Sequence, residues 1–209
     1  MAAFAAQFRL YRRKENQASH DLLQKKEQPM KQVATMALML NLGIAGAYAQ
    51  KSVSMTFQGT AGASTINLNQ PSTNNDEDDF AGNGTLGTFT FRNVRAITAL
   101  PQPPSSTCSG PNQYNFVSVA GAGVFRFNDG SLLIVTLTQG TDCIDLAARM
   151  AHCNLTFQIT GGTGRFAHAS GVLTMNEIVV PVLGDVNGNP VYFAATGGFT
   201  GTISGVGTD

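Results

Sequence analysis

The sequence has little charge, and the charge it has is unevenly distributed. Charged residues make up 12% of the 209 residues, with 13 basic and 13 acidic side chains. Seven of the basic residues precede Gln50, which leaves six basic against ten acidic residues from there onward, a net charge of about −4. This balance argues against a nucleic-acid or anionic-membrane partner. The same part of the chain is rich in Gly, Thr, Ser and Asn, which is typical of turn-rich β proteins.

A long apolar run is also missing. The run from Val33 to Ala47 carries no charge, but it is too short for a membrane span, which needs about 20 apolar residues. It follows Lys31 and leads to an A-x-A exit immediately before Gln50. A basic start, a short apolar region and a small-residue exit therefore predict a secretory signal peptide over residues 30–49.

The predicted signal peptide defines the rest of the organisation. Residues 1–29 form a basic extension, which we expect to be disordered or to follow from a wrongly chosen start codon, and they are left out of the fold argument. Residues 50–209 then form one exported domain, secreted or held in the periplasm or cell envelope. No stable membrane anchor is expected once the signal is cleaved.

Cysteine is sparse, and all three cysteines lie in the predicted exported part. Export permits a disulfide bond, because the compartments outside the cytoplasm are oxidising. Cys143 and Cys153 stand on either side of one loop between two predicted strands, so we expect these two to pair and Cys108 to be left over. Spacing does not fix connectivity, and a bond from Cys108 to either of the others stays open.

Beyond the signal peptide no long amphipathic helix pattern is present, and the remaining segments alternate apolar and polar residues. Phe89 and Phe91, for example, alternate with Thr88, Thr90 and Arg92. Nearly every run has one apolar side and one side rich in Thr, Ser and Asn, which predicts a sheet with one buried face. The fold class is therefore all-β. The alternation fits an antiparallel closed barrel of about eight strands and equally a two-sheet sandwich.

Two long segments are predicted to be loops. The first, Asn69 to Asn83, is polar and contains four consecutive acidic residues, whereas the second, Leu100 to Gln113, carries four prolines and Cys108. Their lengths suit loops at the rim of a barrel or mobile loops. The acidic cluster lacks the glycine-punctuated ligand spacing of a calcium loop, so we expect a solvated loop there and predict no metal site.

The most specific segment, ITGGTGRFAHASG, begins at Ile159. A strand is predicted to end at its second residue, after which three glycines permit a tight turn with positive φ. The phenylalanine is expected to enter the core, and the last glycine to allow close backbone approach before the next strand. The residues assigned to this structural turn are Gly161, Gly162, Gly164, Phe166 and Gly171.

This segment resembles the G-G-[TS]-G-x-F-x-x-A-x-G signature of the allene oxide cyclase and dirigent barrel superfamily. The continuation from Glu177 to Pro181 is similar to the cyclase side of that group. The resemblance implies an eight-stranded antiparallel barrel with an apolar cavity, often in trimers, and it favours the barrel over the sandwich. Dirigent proteins commonly carry Arg where this chain has Ser170, so their chemistry is not carried over.

Candidate site residues are few. The sequence has no G-x-S-x-G elbow, and its glycine-rich segment lacks the lysine and the helix of a phosphate loop, so no catalytic residue and no cofactor are predicted. A charged or phenolic group inside a barrel lumen would need a partner and would then be a candidate for ligand binding. The candidates are Arg92, Arg126, Glu177 and Tyr192, with Arg95 considered beside them. The alternation places Arg92, Arg126 and Tyr192 on the polar face, which favours exposure of these three to solvent.

Three functions follow as hypotheses. The first is a secreted β-barrel of otherwise unknown specific function that binds a small hydrophobic molecule in its lumen. The second is a structural or interaction protein of the envelope or medium without catalytic activity, which assembles through its Thr-rich outer face or long loops. An enzyme of isomerase or cyclase type ranks third, because the sequence offers no catalytic constellation. The resemblance implies a homo-oligomer, a trimer, for any of them.

Overall fold

Residues 50–207 are described by the computed structural model, and they form an all-β unit, as predicted. The strands are β1 (Lys51–Ala63), β2 (Thr73–Gly84), β3 (Phe89–Thr98), β4 (Gln113–Phe127), β5 (Leu132–Asp145), β6 (Met150–Gly162), β7 (Ser170–Gly184) and β8 (Pro190–Ser204). A 3-10 turn, Gly164–Phe166, lies between β6 and β7. Within this range no helical segment has the length and apolarity that a membrane crossing requires. The predicted signal peptide and the basic extension lie outside the described residues.

The eight strands close into an antiparallel barrel. Each strand pairs with the next one along the chain, and β8 returns to pair with β1, where Phe199 lies opposite Met55. The sheet formed by residues 50–207 therefore has no open edge strand. The prediction of a small closed barrel is confirmed, and the two-sheet sandwich is excluded.

Alternation along the strands sorts the side chains between lumen and solvent. In β1, Val53 and Met55 are buried, whereas Ser54 is exposed. The half of the lumen next to the 3-10 turn is filled with phenylalanine rings, two of which, Phe91 and Phe125, have centroids 4.3 Å apart. Burial of each ring contributes about 1.5–3 kcal/mol of hydrophobic free energy, so this half is the packed core. The rings belong to Phe57, Phe80, Phe89, Phe91, Phe125, Phe127, Phe157, Phe166 and Phe199.

The glycine-rich segment closes the packed end of the barrel. The chain leaves β6 and turns through Gly164, which has a φ of 57°, into the 3-10 turn. Phe166 is fully buried, and its ring centroid lies 4.7 Å from that of Phe127. Gly164 and Phe166 therefore lie in the turn. Gly161 and Gly162 differ from the expectation, because they are the last residues of β6.

The prediction of a polar loop from Asn69 to Asn83 is wrong for most of its length. β2 begins at Thr73, so the acidic cluster lies in a strand. Aspartate is disfavoured in strands, but β3 supplies opposite charge, since Arg95 is the register partner of Asp76. Conversely, the apolar and polar run at residues 63–68 belongs to a loop from residue 64 onward. In β2, pairing with a neighbouring strand has overridden local preference.

The predicted pairing of Cys143 with Cys153 is wrong. The disulfide joins Cys108 to Cys143, and Cys153 is an unbonded, buried thiol. Cys153 lies opposite Asp142 in the register of β5 and β6, so Cys143 and Cys153 are one residue out of step and point to opposite faces of the wall. Cys108 lies in the segment between β3 and β4, which is a loop as predicted, and fastens it to the outside of β5. The bond fits an oxidising compartment.

Candidate ligand-binding site

The end of the barrel opposite the 3-10 turn is hollow. A cavity of about 600 Å³ lies there, bordered by the hairpins that join β5 to β6 and β7 to β8. Its walls are mainly apolar and include Ala61, Ala151, Val179 and Phe193. The phenylalanine rings of the packed core do not line this space. The lumen is therefore filled at one end and open at the other.

A belt of polar side chains lies between the cavity and the packed rings. Six neighbouring strands, β2 to β7, each turn one or two polar residues toward the lumen at this level. We call this set the polar belt; it consists of Asp76, Asp78, Asn93, Arg95, Ser118, Asp142, Cys153 and Glu177. Asp76, Arg95, Asp142 and Cys153 line the cavity, so the polar belt forms its floor.

Strand alternation places the polar belt at one level of the barrel. On β3 the inward-facing series runs from Phe91 through Asn93 to Arg95, all of them buried. On β7, Glu177 stands two residues after the buried Met175 and shares its face. In both strands the inward-facing residues thus change from apolar at the packed end to polar at the level of the belt.

Arg95 is the centre of the polar belt. Its Nη1 donates hydrogen bonds to Oδ1 and Oδ2 of Asp142 at 2.7 and 2.8 Å, and a longer one of 3.4 Å to the hydroxyl oxygen of Ser118. Its Nε lies 3.6 Å from Oδ2 of Asp78. Only 4% of the Arg95 side chain is exposed. A charge so buried needs compensation, and Asp142 provides it with the shorter contacts.

Two carboxyl groups of the polar belt have no hydrogen-bond partner. Within residues 50–207, neither oxygen of Glu177 and neither oxygen of Asp78 takes part in a hydrogen bond. Both residues are almost completely buried, with 2% of Glu177 and 1% of Asp78 exposed. A buried polar group without a hydrogen bond costs about 1–3 kcal/mol. These carboxyl groups are therefore the part of the polar belt that a further partner would stabilise.

Burial raises the pKa of three carboxyl groups of the polar belt. Loss of hydration raises the pKa of Asp78 to about 6, against the charge of Arg95, which acts to lower it. Burial also raises the pKa of Glu177 well above its usual range, and the nearby charge of Asp78 raises it further. The pKa of Asp76 is raised as well, again chiefly by burial. In the part of the chain that the structure describes, no group of three or more His, Cys, Asp or Glu residues is arranged to hold a metal ion.

The residues predicted to bind a ligand do not lie together. Glu177 belongs to the polar belt, as does Arg95, which was considered beside it. Arg92 lies on the outer wall with 69% of its side chain exposed, and Arg126 and Tyr192 are exposed on the outer wall too. Their side chains do not reach the cavity, because each stands one residue out of phase with the inward-facing series of its strand.

Three carboxyl groups of the polar belt were not predicted. The signal for Asp76 and Asp78 was their spacing of two, which puts them on one face of a strand. Asp142 is harder to find, because a bulge between Leu137 and Gln139 shifts the inward-facing phase of β5 before it is reached. Its position in the lumen depends on pairing with β6 and not on local pattern.

Comparison with known proteins gives few matches. No protein-family model matches the chain, and no curated protein matches it. Among solved structures the chain is similar to the pterocarpan synthase dirigent protein GePTS1, with 10% identity and a TM-score of 0.38 over 77% of this chain and 87% of that one. It is also similar to the pterocarpan synthase dirigent protein PsPTS1, with 12% identity and a TM-score of 0.39 over 77% of this chain and 97% of that one.

Proposed function

We propose that the protein is a secreted barrel that binds a small, mainly apolar molecule in the cavity at its open end. The observation that carries this proposal is the cavity, whose volume of about 600 Å³ is in the usual range of ligand pockets. Secretion is supported by the predicted signal peptide and by the Cys108–Cys143 disulfide, which suits an oxidising compartment.

The division of the lumen supports ligand binding. A lumen packed with phenylalanine along its whole length would leave no room for a molecule, but here the rings occupy one end only. Apolar walls stabilise an apolar ligand by about 0.8 kcal/mol for each CH₂ group that they bury. The polar belt at the floor supplies the few polar groups that fix orientation in such a pocket.

Native mass spectrometry of the protein purified gently from its secretion medium is the first test. We expect a reproducible extra mass that disappears on denaturation. In parallel, the neutral apolar dye N-phenyl-1-naphthylamine is expected to gain fluorescence on binding to protein from which this mass has been removed.

A matched pair of variants locates the binding. Val179→Phe places a larger side chain in the cavity wall, whereas Val180→Phe places the same side chain on the outer face of the same strand. We expect Val179→Phe to weaken dye binding at least tenfold and Val180→Phe to leave it unchanged. Equal loss in both variants, or dye binding that neither change affects, would place the binding outside the cavity. A bare protein mass together with no dye binding would contradict the proposal.

Acid–base chemistry on the bound molecule is a second candidate function. It is favoured by one observation: carboxyl groups whose pKa is raised by burial lie next to an apolar cavity, as is typical of a general acid. The test is to return the molecule recovered from the protein to fresh protein and to follow it by liquid chromatography and mass spectrometry. Conversion by the unaltered protein and not by Glu177→Gln would support an isomerase or cyclase type of enzyme.

Assembly of copies is a third candidate. The outer face of β7 exposes Ile178 and Val180, with 40% and 43% of these residues accessible. Exposed apolar side chains in a row favour an interaction surface. The subunit count in the native mass spectrum tests this role, and a trimer that Val180→Asp converts to a monomer would support it.

A further inference from the structure

The polar belt has a surplus of acidic groups. Four carboxyl groups of the polar belt, those of Asp76, Asp78, Asp142 and Glu177, accompany one guanidinium, that of Arg95; Asp145 and Arg149, in and beside the β5–β6 hairpin, add one charge of each sign to the cavity lining. The Arg95 side chain gives its two shortest contacts to Asp142, and its Nε is 3.6 Å from Asp78. Arg95 therefore compensates mainly the negative charge of Asp142.

Within residues 50–207, Glu177 is a carboxyl group of the polar belt that has neither a hydrogen bond nor an ion pair. Both of its oxygens are buried and without a hydrogen bond in the part of the chain described. Its register partner on β6 is Cys153, which lines the cavity and supplies no positive charge, because a thiol is neutral when protonated and negative when ionised. Glu177 does not itself line the cavity, but it lies beside Cys153 and two residues before Val179, both of which do, so an open apolar cavity stands next to a buried carboxyl group without a hydrogen bond. A ligand that brings a donor with positive charge would satisfy both features at once.

We propose that the molecule bound in this cavity is an organic amine, whose apolar body lies along the cavity walls and whose ammonium group binds the carboxyl groups of the polar belt at Glu177. This inference rests on the proposed function and adds the class of ligand to it. An ammonium group donates up to three hydrogen bonds, so it can reach Glu177 and a second carboxylate together. The bound ammonium group also stabilises the ionised form of these carboxyl groups.

Proton release is therefore coupled to binding. Burial and neighbouring carboxyl groups raise the pKa of Asp78 and Glu177, and a bound cation lowers the pKa of both. The charged and titratable groups that face Glu177 are Asp78, Arg95, Asp142 and Cys153. Affinity for an amine should rise with pH through about 6, where Asp78 loses its proton in the free protein. Affinity for a neutral molecule of the same shape should not rise over this pH range.

The test compares three probes of one shape: 1-naphthylmethylamine, 1-naphthalenemethanol and 1-naphthoate. Titration calorimetry of the purified protein, in two buffers of different ionisation enthalpy, gives the affinity and the number of protons released. We expect the amine to bind at least tenfold more tightly than the alcohol at pH 7.5, the carboxylate to bind weakest, and protons to be released by the amine alone. The advantage of the amine should shrink below pH 5.

Two variants on one strand serve as the matched pair, since Asp76→Asn changes the cavity floor and Asp79→Asn changes the outer wall. Asp76→Asn should reduce the preference for the amine, and Asp79→Asn should leave it intact. Glu177→Gln should abolish most of the preference; if it fails to fold, the comparison of probes on the unaltered protein still decides the question. Equal binding of amine and alcohol, or tighter binding of the carboxylate, would overturn the amine assignment while leaving the cavity as a binding site. No binding of any naphthyl probe or of N-phenyl-1-naphthylamine would overturn the proposed function itself.

Discussion

Arg95 and Asp142 meet inside the barrel across an intervening strand. Arg95 lies on β3 and Asp142 on β5, and Nη1 of the arginine lies 2.7 and 2.8 Å from the two carboxylate oxygens. β4 between them leaves room for this contact, because Gly121 is the register partner of Arg95. The two residues therefore connect β3 and β5 through the lumen, in addition to the hydrogen bonds of the wall.

The first prediction concerns this ion pair. Arg95→Met should lower the free energy of unfolding by about 3–5 kcal/mol, because it leaves Asp142 buried without its partner. Arg92→Met is the control, since Arg92 makes only exposed contacts of 3.8 Å to Glu77 and 3.6 Å to Asp79. Its effect should stay within about 1 kcal/mol. Urea unfolding followed by circular dichroism measures both, and similar values for the two variants would contradict the assigned role of the pair.

The second prediction concerns the dependence of stability on pH. The pKa of Asp78 is about 6 in the folded protein against an ordinary value of 3.8, so the folded state holds a proton that the unfolded chain releases between these values. This stabilisation is fully present below about pH 4 and is lost as the pH rises through about 6. Between pH 4.5 and pH 7.5 the loss should be on the order of 2 kcal/mol. Thermal unfolding at the two pH values measures it as a lower Tm at the higher pH.

Asp78→Asn removes that titration and should shrink the difference in Tm, whereas Asp79→Asn on the outer wall should not. The groups that face Asp78 are Asp76, Arg95 and Asp142. The carboxyl groups of Asp129, Asp145 and Asp185 have pKa values lowered by hydrogen bonds, so they titrate below this window. A difference in Tm that Asp78→Asn leaves unchanged would assign the pH dependence to another residue.

The third prediction concerns the disulfide. Cys108 and Cys143 are 35 residues apart in sequence, and closing a loop of this size stabilises a protein by about 2–4 kcal/mol. Cys108→Ser and Cys143→Ser should each lower the free energy of unfolding by this amount. Alkylation of the unreduced, denatured protein should label one cysteine, and peptide mass mapping should identify it as Cys153. Label on Cys108 would show a different connectivity.

The fourth prediction separates two glycines of one motif. Gly171 has a φ of 145°, and a Cβ there would clash with the carbonyl oxygen of Thr202 on β8. Gly161 has no atom within 4 Å of the position that a Cβ would take. Gly171→Ala should therefore destabilise the protein by about 1–3 kcal/mol through backbone strain and loss of close strand approach, while Gly161→Ala should change stability by less than about 1 kcal/mol. Chemical denaturation compares them, and equal effects would contradict this reading of the motif.

The barrel was predictable from the sequence because its determinants are local. Alternation of apolar and polar residues identifies the inward-facing side of strands such as β3, and the turn at Gly164 and Phe166 follows from the glycine-rich segment. Glu177 was also accessible in this way, since it stands in phase with the buried Met175. These features need no knowledge of which strands become neighbours.

The features that were missed depend on neighbours distant in sequence. The acidic strand β2 is unfavourable by itself and forms because Arg95 lies beside it on β3. The cysteine pairing was mistaken because Cys143 and Cys153 are separated by one step of register between β5 and β6, which turns their side chains to opposite faces. The spacing of residues along the chain does not reveal a register shift of one residue, although such a shift decides which side chains face the lumen.

Because β8 pairs with β1, the chain could begin at any of the eight strands without changing which strands are neighbours. Lys51, at the start of β1, lies opposite Ile203, near the end of β8, so the two ends of the described chain emerge side by side at the packed end. A short linker from residue 207 to residue 50, with new termini in the loop at residues 64–72, would give a circular permutant with the same eight strand pairs. In its original strand order the barrel could instead be attached to a surface through these adjacent ends, with its cavity still facing outward.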